Sequence, residues 1–210
     1  MRESWPRPRR DDGSHIAATV APRASIGDMD SLAGMLLVAP PQLTDPNFTE
    51  SVVVVLLHNE SGSFGLVLNR AADVEVGDAL SVWKALARGP IRSGGPVEID
   101  ALIGIARTPA GISVDGYREI TTTTLGPLGL VDLHATPADD LKDIRLFTGY
   151  TGWGPGQLEG EILMGGWVVV PGLPSDPFDL RLEELWGRVL RRADPSDARL
   201  RLLPDDITLN

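Results

Sequence analysis

At 210 residues, 42% hydrophobic and 23% charged, the chain has enough material for one good core, and two full domains would be a squeeze. It has no cysteine, which excludes disulfides, thiolate zinc sites, iron–sulfur ligation and a cysteine nucleophile, and fits a reducing, cytoplasmic setting. The formal net charge of -10 argues against direct nucleic-acid binding, and no apolar run approaches the roughly 18 to 20 residues that cross a bilayer.

Residues 1–28 hold Pro6, Pro8 and Pro22, five arginines and four acids, with almost no periodic apolar residues. Such a segment cannot repay its ordering entropy, so it reads as a disordered leader. It lacks the apolar h-region of a secretory signal, and Glu3, Asp11 and Asp12 weaken a transit-peptide reading. Folding is expected to begin near Met29, itself a candidate start codon. The folded domain then spans 29–192, and 193–210 form a tail. The basic residues Arg188, Arg191, Arg192, Arg199 and Arg201 alternate with Asp194 and Asp197, the pattern of a solvated face.

Gly34–Ala39 reads as a first strand, stopped by Pro40 and Pro41, and Asp45-Pro46-Asn47 as a turn. Ser51–His58 is β-branched and apolar at both parities, the mark of a central strand. A five-residue turn, Asn59 to Ser63, leads to a strand over Phe64–Asn69, so the pair is expected to form an antiparallel hairpin. A helix is predicted over Val76–Ala87, then strands over Ile91–Val97 and Ala101–Ala106, and two short extended pieces between Gly111 and Leu125. Pro137–Asp143 fits a short helix with Thr136 as N-cap. Ile144–Tyr150 reads as a strand, Gly156–Glu161 as the start of a short helix and Gly166–Val170 as a strand. Pro177–Arg192 reads as a helix with Leu182, Leu185, Trp186 and Val189 on one face. Strands outnumber helices and many neighbours look antiparallel, so the fold class is α+β rather than doubly wound α/β.

Three clusters carry candidate chemistry. Phe64 to Arg70 is a strand ending in the amide of Asn69 and the guanidinium of Arg70. In Ser93-Gly94-Gly95-Pro96-Val97, two glycines permit close backbone approach. Arg145 to Glu161 interleaves Gly149, Gly152, Gly154 and Gly156 with Tyr150 and Trp153. That composition suits an exposed loop where amides approach a ligand, and equally a tight turn with core aromatics. It does not match the dinucleotide fingerprint, and no Walker lysine exists.

In this order and spacing these clusters resemble the YqgE/AlgH family of bacterial proteins. The resemblance runs from Leu32 to about Leu190. It also takes in Gly34-x-Leu36-Leu37-x-Ala39, Asp45-x-x-Phe48-x-x-Ser51-Val52 and His58, and its most specific part is Arg145–Glu161. It implies a mostly antiparallel, barrel-like sheet flanked by helices in a single domain, with a surface groove near the shared polar residues. It implies no reaction. One branch of the family is associated with transcriptional control of alginate synthesis.

On this reading the chain is a binding or regulatory module. Its groove is formed by Asn69, Arg70, Gly95, Arg145, Tyr150, Trp153, Gly154, Gly156, Gln157 and Glu159, and takes a small anion, a peptide or a protein partner. Arg70 and Arg145 are the anion candidates, because a guanidinium can clamp a carboxylate or phosphate; their alternative role is a salt bridge. Glu159 and Glu161 share a face on a strand but diverge on a helix. The competing reading is a hydrolase-like enzyme using Glu159 or His58 in the same groove, which requires those groups to converge. No residue is assigned a catalytic role. No metal or other cofactor is expected, since neither His58 nor His134 has zinc-ligand spacing.

Overall fold

The computed structural model describes residues 31–74, 83, 86–108, 113–120, 124–134 and 141–193. Val52–Asn59 is a strand, β2, and its two-sided apolar pattern explains the architecture. Val52, Val54 and Leu56 turn to one face and Val53 and Val55 to the other, all fully buried. Burying such a side chain is worth about 1.5–3 kcal/mol, so both faces need cover. One face joins Leu36, Leu66, Phe147, Leu185 and Val189. The other joins Leu37, Val67, Trp153, Leu158 and Trp167.

The remaining strands are β1 (Met35–Val38), β3 (Gly62–Val67), β4 (Arg92–Ser93), β5 (Val97–Arg107), β6 (Tyr117–Ile120), β7 (Leu128–Val131), β8 (Lys142–Trp153) and β9 (Val168–Pro171). The sheet order is β6-β7-β5-β8-β3-β2-β1-β9, antiparallel throughout, while β4 pairs with β8 in parallel. The sheet curls into a half-barrel. Helix α1 (Gln157–Leu163) contributes Leu158 to one face, and α2 (Leu182–Leu190) contributes Leu185, Val189 and Leu190 to the other. This is the expected single-domain α+β fold with a barrel-like, mostly antiparallel sheet and flanking helices.

Several boundaries differ from the sequence reading for local reasons. The β2–β3 hairpin closes on the pair Asn59↔Gly62, so its loop is two residues rather than five. Gly62 has φ 126°, a backbone that favours glycine. The strand expected over Ile91–Val97 shrinks to Arg92–Ser93. Beyond it, Gly94 wedges between β3 and β8, donating its N–H to the Thr148 carbonyl and accepting from Val67 N–H. The last helix starts at Leu182 rather than Pro177, because Asp176–Phe178 is a 3₁₀ turn and Asp179 is extended. Lys142 and Asp143, expected at the end of a helix, begin β8; the earlier part of that helix lies outside the described residues. So do most of the predicted 76–87 helix, of which Trp83 and Leu86 are helical, the Thr121–Thr123 piece, and residues 1–28 and 194–210.

Candidate functional site

The segment Arg145–Glu161 is mostly a strand. β8 continues through Tyr150 to Trp153, and only Gly154–Gly156 make a turn before α1. Gly149 has φ 66°, and a Cβ there would fall 2.5 Å from the Gly95 carbonyl oxygen. Glycine is therefore required at this crossing for close packing and for backbone conformation together.

Turn and helix join four side chains in one network. Gln157 Oε1 accepts the Gly154 N–H, and its Nε2 donates to Glu161 Oε1 at 2.9 Å, one helical turn on. Glu161 Oε2 accepts from the indoles of both Trp153 and Trp167, each at 2.9 Å. The two rings meet edge to face at 6.3 Å, and Phe48 packs edge-on against Trp167 at 5.4 Å. These groups border a cleft of about 300 Å³ completed by Asp45, Pro96, Val97, Thr151 and Gly152 among others. Two carboxylates line it, and among the described residues no lysine, arginine or histidine does. Thr151 is 1% exposed, and its Oγ1 has no hydrogen-bond partner among the described residues.

Glu159 and Glu161 sit on a helix and diverge. Glu159 turns to β2, where its carboxylate lies 3.8 Å from His58 Nε2, and His58 Nδ1 is 2.8 Å from Ser63 Oγ. His58 and Glu159 thus converge with Ser63, while neither lines the cleft. His134 is exposed in a turn. Among the described residues no cluster of three or more His, Asp or Glu side chains is arranged to hold a metal ion.

Of the groove residues expected from sequence, Trp153 and Gln157 line the cleft. Gly154 adjoins it through its bond to Gln157, and Gly156, at φ 70°, caps α1. Gly95 packs on the Tyr150 carbonyl beside the cleft residues Pro96 and Val97, and the Tyr150 ring stacks on Phe64. Asn69 and Arg70 act at one remove. Asn69 accepts from Val52 N–H and donates to the Glu50 carbonyl, and Arg70 donates to the carbonyls of Pro46 and Thr49. Together they fix the loop that carries Asp45 and Phe48.

Arg145 is elsewhere. Only 4% exposed, it donates to the Ile144 and Phe178 carbonyls and lies over the Phe178 ring. Burial lowers its pKa. The guanidinium groups of Arg70 and Arg145 are both engaged by backbone carbonyls, and among the described residues neither forms a salt bridge, the alternative role weighed for each. In the sequence Glu161 stands out only as the neighbour of Glu159 and Phe48 only within the Asp45–Val52 motif, while nothing marks Trp167 or Thr151 as site residues. Glu161 finds its indole donors eight residues before and six after, a spacing with no period to betray it.

A protein-family model described as DUF179, AlgH-like, matches residues 36–196. A UPF0301 protein of Streptomyces avermitilis is 47% identical over 188 residues, covering 87% of this chain and 97% of the relative. One from Mycobacteroides abscessus is 40% identical over 183 residues, covering 85% and 88%. Among solved structures, protein DIP2367 from Corynebacterium diphtheriae matches with a TM-score of 0.68 at 33% identity, over 78% of this chain and 87% of that one. The AlgH protein from Pseudomonas aeruginosa matches with a TM-score of 0.60 at 28% identity, over 89% and 100%.

Proposed function

The chain belongs to the AlgH-like family, DUF179, and from the geometry of its cleft we propose that it is a binding module that receives a cationic group. One observation carries this reading. The Glu161 carboxylate is held at the cleft by three neutral donors, two indoles and an amide, with no cation among the described lining residues. Neutral donors orient a carboxylate without cancelling its charge, so the site favours a positive ligand and disfavours the small anion expected from sequence. The rings of Trp153, Trp167 and Phe48 form an apolar wall beside that carboxylate. At about 300 Å³ the cleft is at the small end of ligand sites and suits an amino-acid side chain or a small amine.

Calorimetry with N-acetyl-arginine amide, and with N-acetyl-norleucine amide as its neutral counterpart, tests this. The arginine probe should bind at least tenfold more tightly, and Glu161→Gln should remove the difference. Equal binding of the two probes would overturn the reading.

The hydrolase alternative has its own observation, the Ser63–His58–Glu159 chain. An imidazole between a hydroxyl and a carboxylate is the arrangement that activates a serine nucleophile. Ser63 is only 8% exposed, however, and the hydroxyl and the imidazole lie outside the cleft lining. That makes the chain a staple between the β2–β3 hairpin and α1. A fluorophosphonate probe should leave Ser63 unlabelled. Stoichiometric labelling that Ser63→Ala abolishes would restore the enzyme.

A further inference from the structure

The sheet has a gap beside the cleft. β5 pairs with β8 at Val97↔Tyr150 and again at Leu102↔Thr148, and among the described residues no strand flanks Thr151–Trp153 on that side. Backbone direction there follows from one close approach and one strand pair. A Cβ built at Gly62 falls 2.2 Å from the Trp153 carbonyl oxygen, so Trp153 addresses β3. Tyr150 pairs with Val97 of β5, on the opposite edge. Successive residues of a strand alternate in the edge they address. The N–H and C=O of Gly152 therefore face the open edge, where the neighbouring Pro96 has no N–H to offer them. Gly152 is exposed.

We propose that this edge takes a short extended peptide in which an apolar residue pairs with Gly152 and an adjacent lysine or arginine enters the cleft. The register dictates the motif. A residue opposite Gly152 places its side chain on the Gly152 face. There the partly buried rings of Phe64 and Tyr150, 5.0 Å apart, flank a strand position that has no side chain. The next residue of the peptide points to the face of Thr151 and Trp153, which line the cleft with Glu161. Gly154 N–H, the next amide facing that edge, is already taken by Gln157, which limits the pairing to one residue. Main-chain bonds supply affinity and alternate side-chain pockets supply specificity in this mode of recognition. The inference rests on the cationic reading of the cleft and adds the strand edge to it.

Fluorescein-labelled Ser-Arg-Leu-Arg-Ser places an arginine beside the leucine in either chain direction. Fluorescence anisotropy on the full chain should show binding, and N-methylation of the leucine amide should weaken it at least tenfold with charge unchanged. Gly152→Val, whose branched side chain would press on the Tyr150 ring at the pairing position, should weaken the peptide at least tenfold. If methylated and unmethylated peptides bind alike while the capped arginine still binds, strand pairing is overturned and the cleft reading stands. If neither the peptide nor the capped arginine binds, both fall.

Discussion

Gly95→Ala is expected to destabilise the fold by about 3–5 kcal/mol. Its Cβ would lie 2.3 Å from the Tyr150 carbonyl oxygen and 2.4 Å from the carbonyl carbon, and neither atom belongs to a side chain that can swing away. The position also has φ 150°, which L-residues rarely adopt. Relief would require Gly94–Gly95 to withdraw from β8, breaking the bonds from Gly94 to Thr148 and Val67 that hold the wedge in the sheet. For a chain of this size the loss corresponds to a fall in Tm of about 10–15 °C, measurable by circular dichroism. Gly126→Ala is the control. It has φ 68° but nothing within 4 Å of the added methyl, so it isolates backbone strain at about 1–2 kcal/mol. Equal effects at the two positions would mean that the crossing of Gly94–Gly95 over β8 is not closely packed.

That crossing also shows what the sequence could reveal. Clusters at 64–70, 93–97 and 145–161 were conspicuous because each combines glycine with strand-forming residues. The structure brings parts of all three together: Gly94 bonds to Val67 of the first and Thr148 of the third. Legible too was the central position of β2, since apolar residues at both parities admit no other reading. The strand character of Tyr150–Trp153 was hidden, because four glycines in eight residues resemble a loop when the partner strand is unknown. Gly152 is tolerated in β8 as an exposed edge position, and Gly149 because its φ of 66° forms the kink where β5 departs. The cleft was half visible. Trp153 and Gln157 belong to the conspicuous segment, whereas Phe48 and Trp167 reach it through the β1–β2 loop and the α1–β9 turn, which only the three-dimensional sheet order adjoins. Buried arginine was invisible. Arg92 falls in the strand expected over Ile91–Val97, and no pattern announces that its head will meet carbonyls some 85 positions later.

Arg92→Met should destabilise the fold by about 2–4 kcal/mol, although it removes a charge from the interior. Two effects oppose one another. Burial, and then the neighbouring Arg145, push the Arg92 guanidinium down to about 10, so holding it charged at neutral pH has a cost that methionine abolishes. Against this, Arg92 donates to the carbonyls of Pro177 and Asp179, on either side of the Phe178 carbonyl held by Arg145. These bonds dock the 3₁₀ turn and, through it, the start of α2 against β4 and β8. Arg92 is 0% exposed, so methionine leaves two carbonyls without their charged donor where water has no ready access, at about 1–3 kcal/mol each. The lost donors outweigh the relieved charge. Arg92→Lys separates the terms: it keeps a cation yet cannot present a planar fork to two carbonyls, and its ammonium is more strongly hydrated. Lysine should therefore be no better than methionine. Since the arginine is charged in both folded and unfolded states below its lowered pKa, the methionine deficit should stay flat from about pH 5 to 9 in urea titrations. A lysine variant of wild-type stability would show that charge alone, and not the paired carbonyls, anchors the turn.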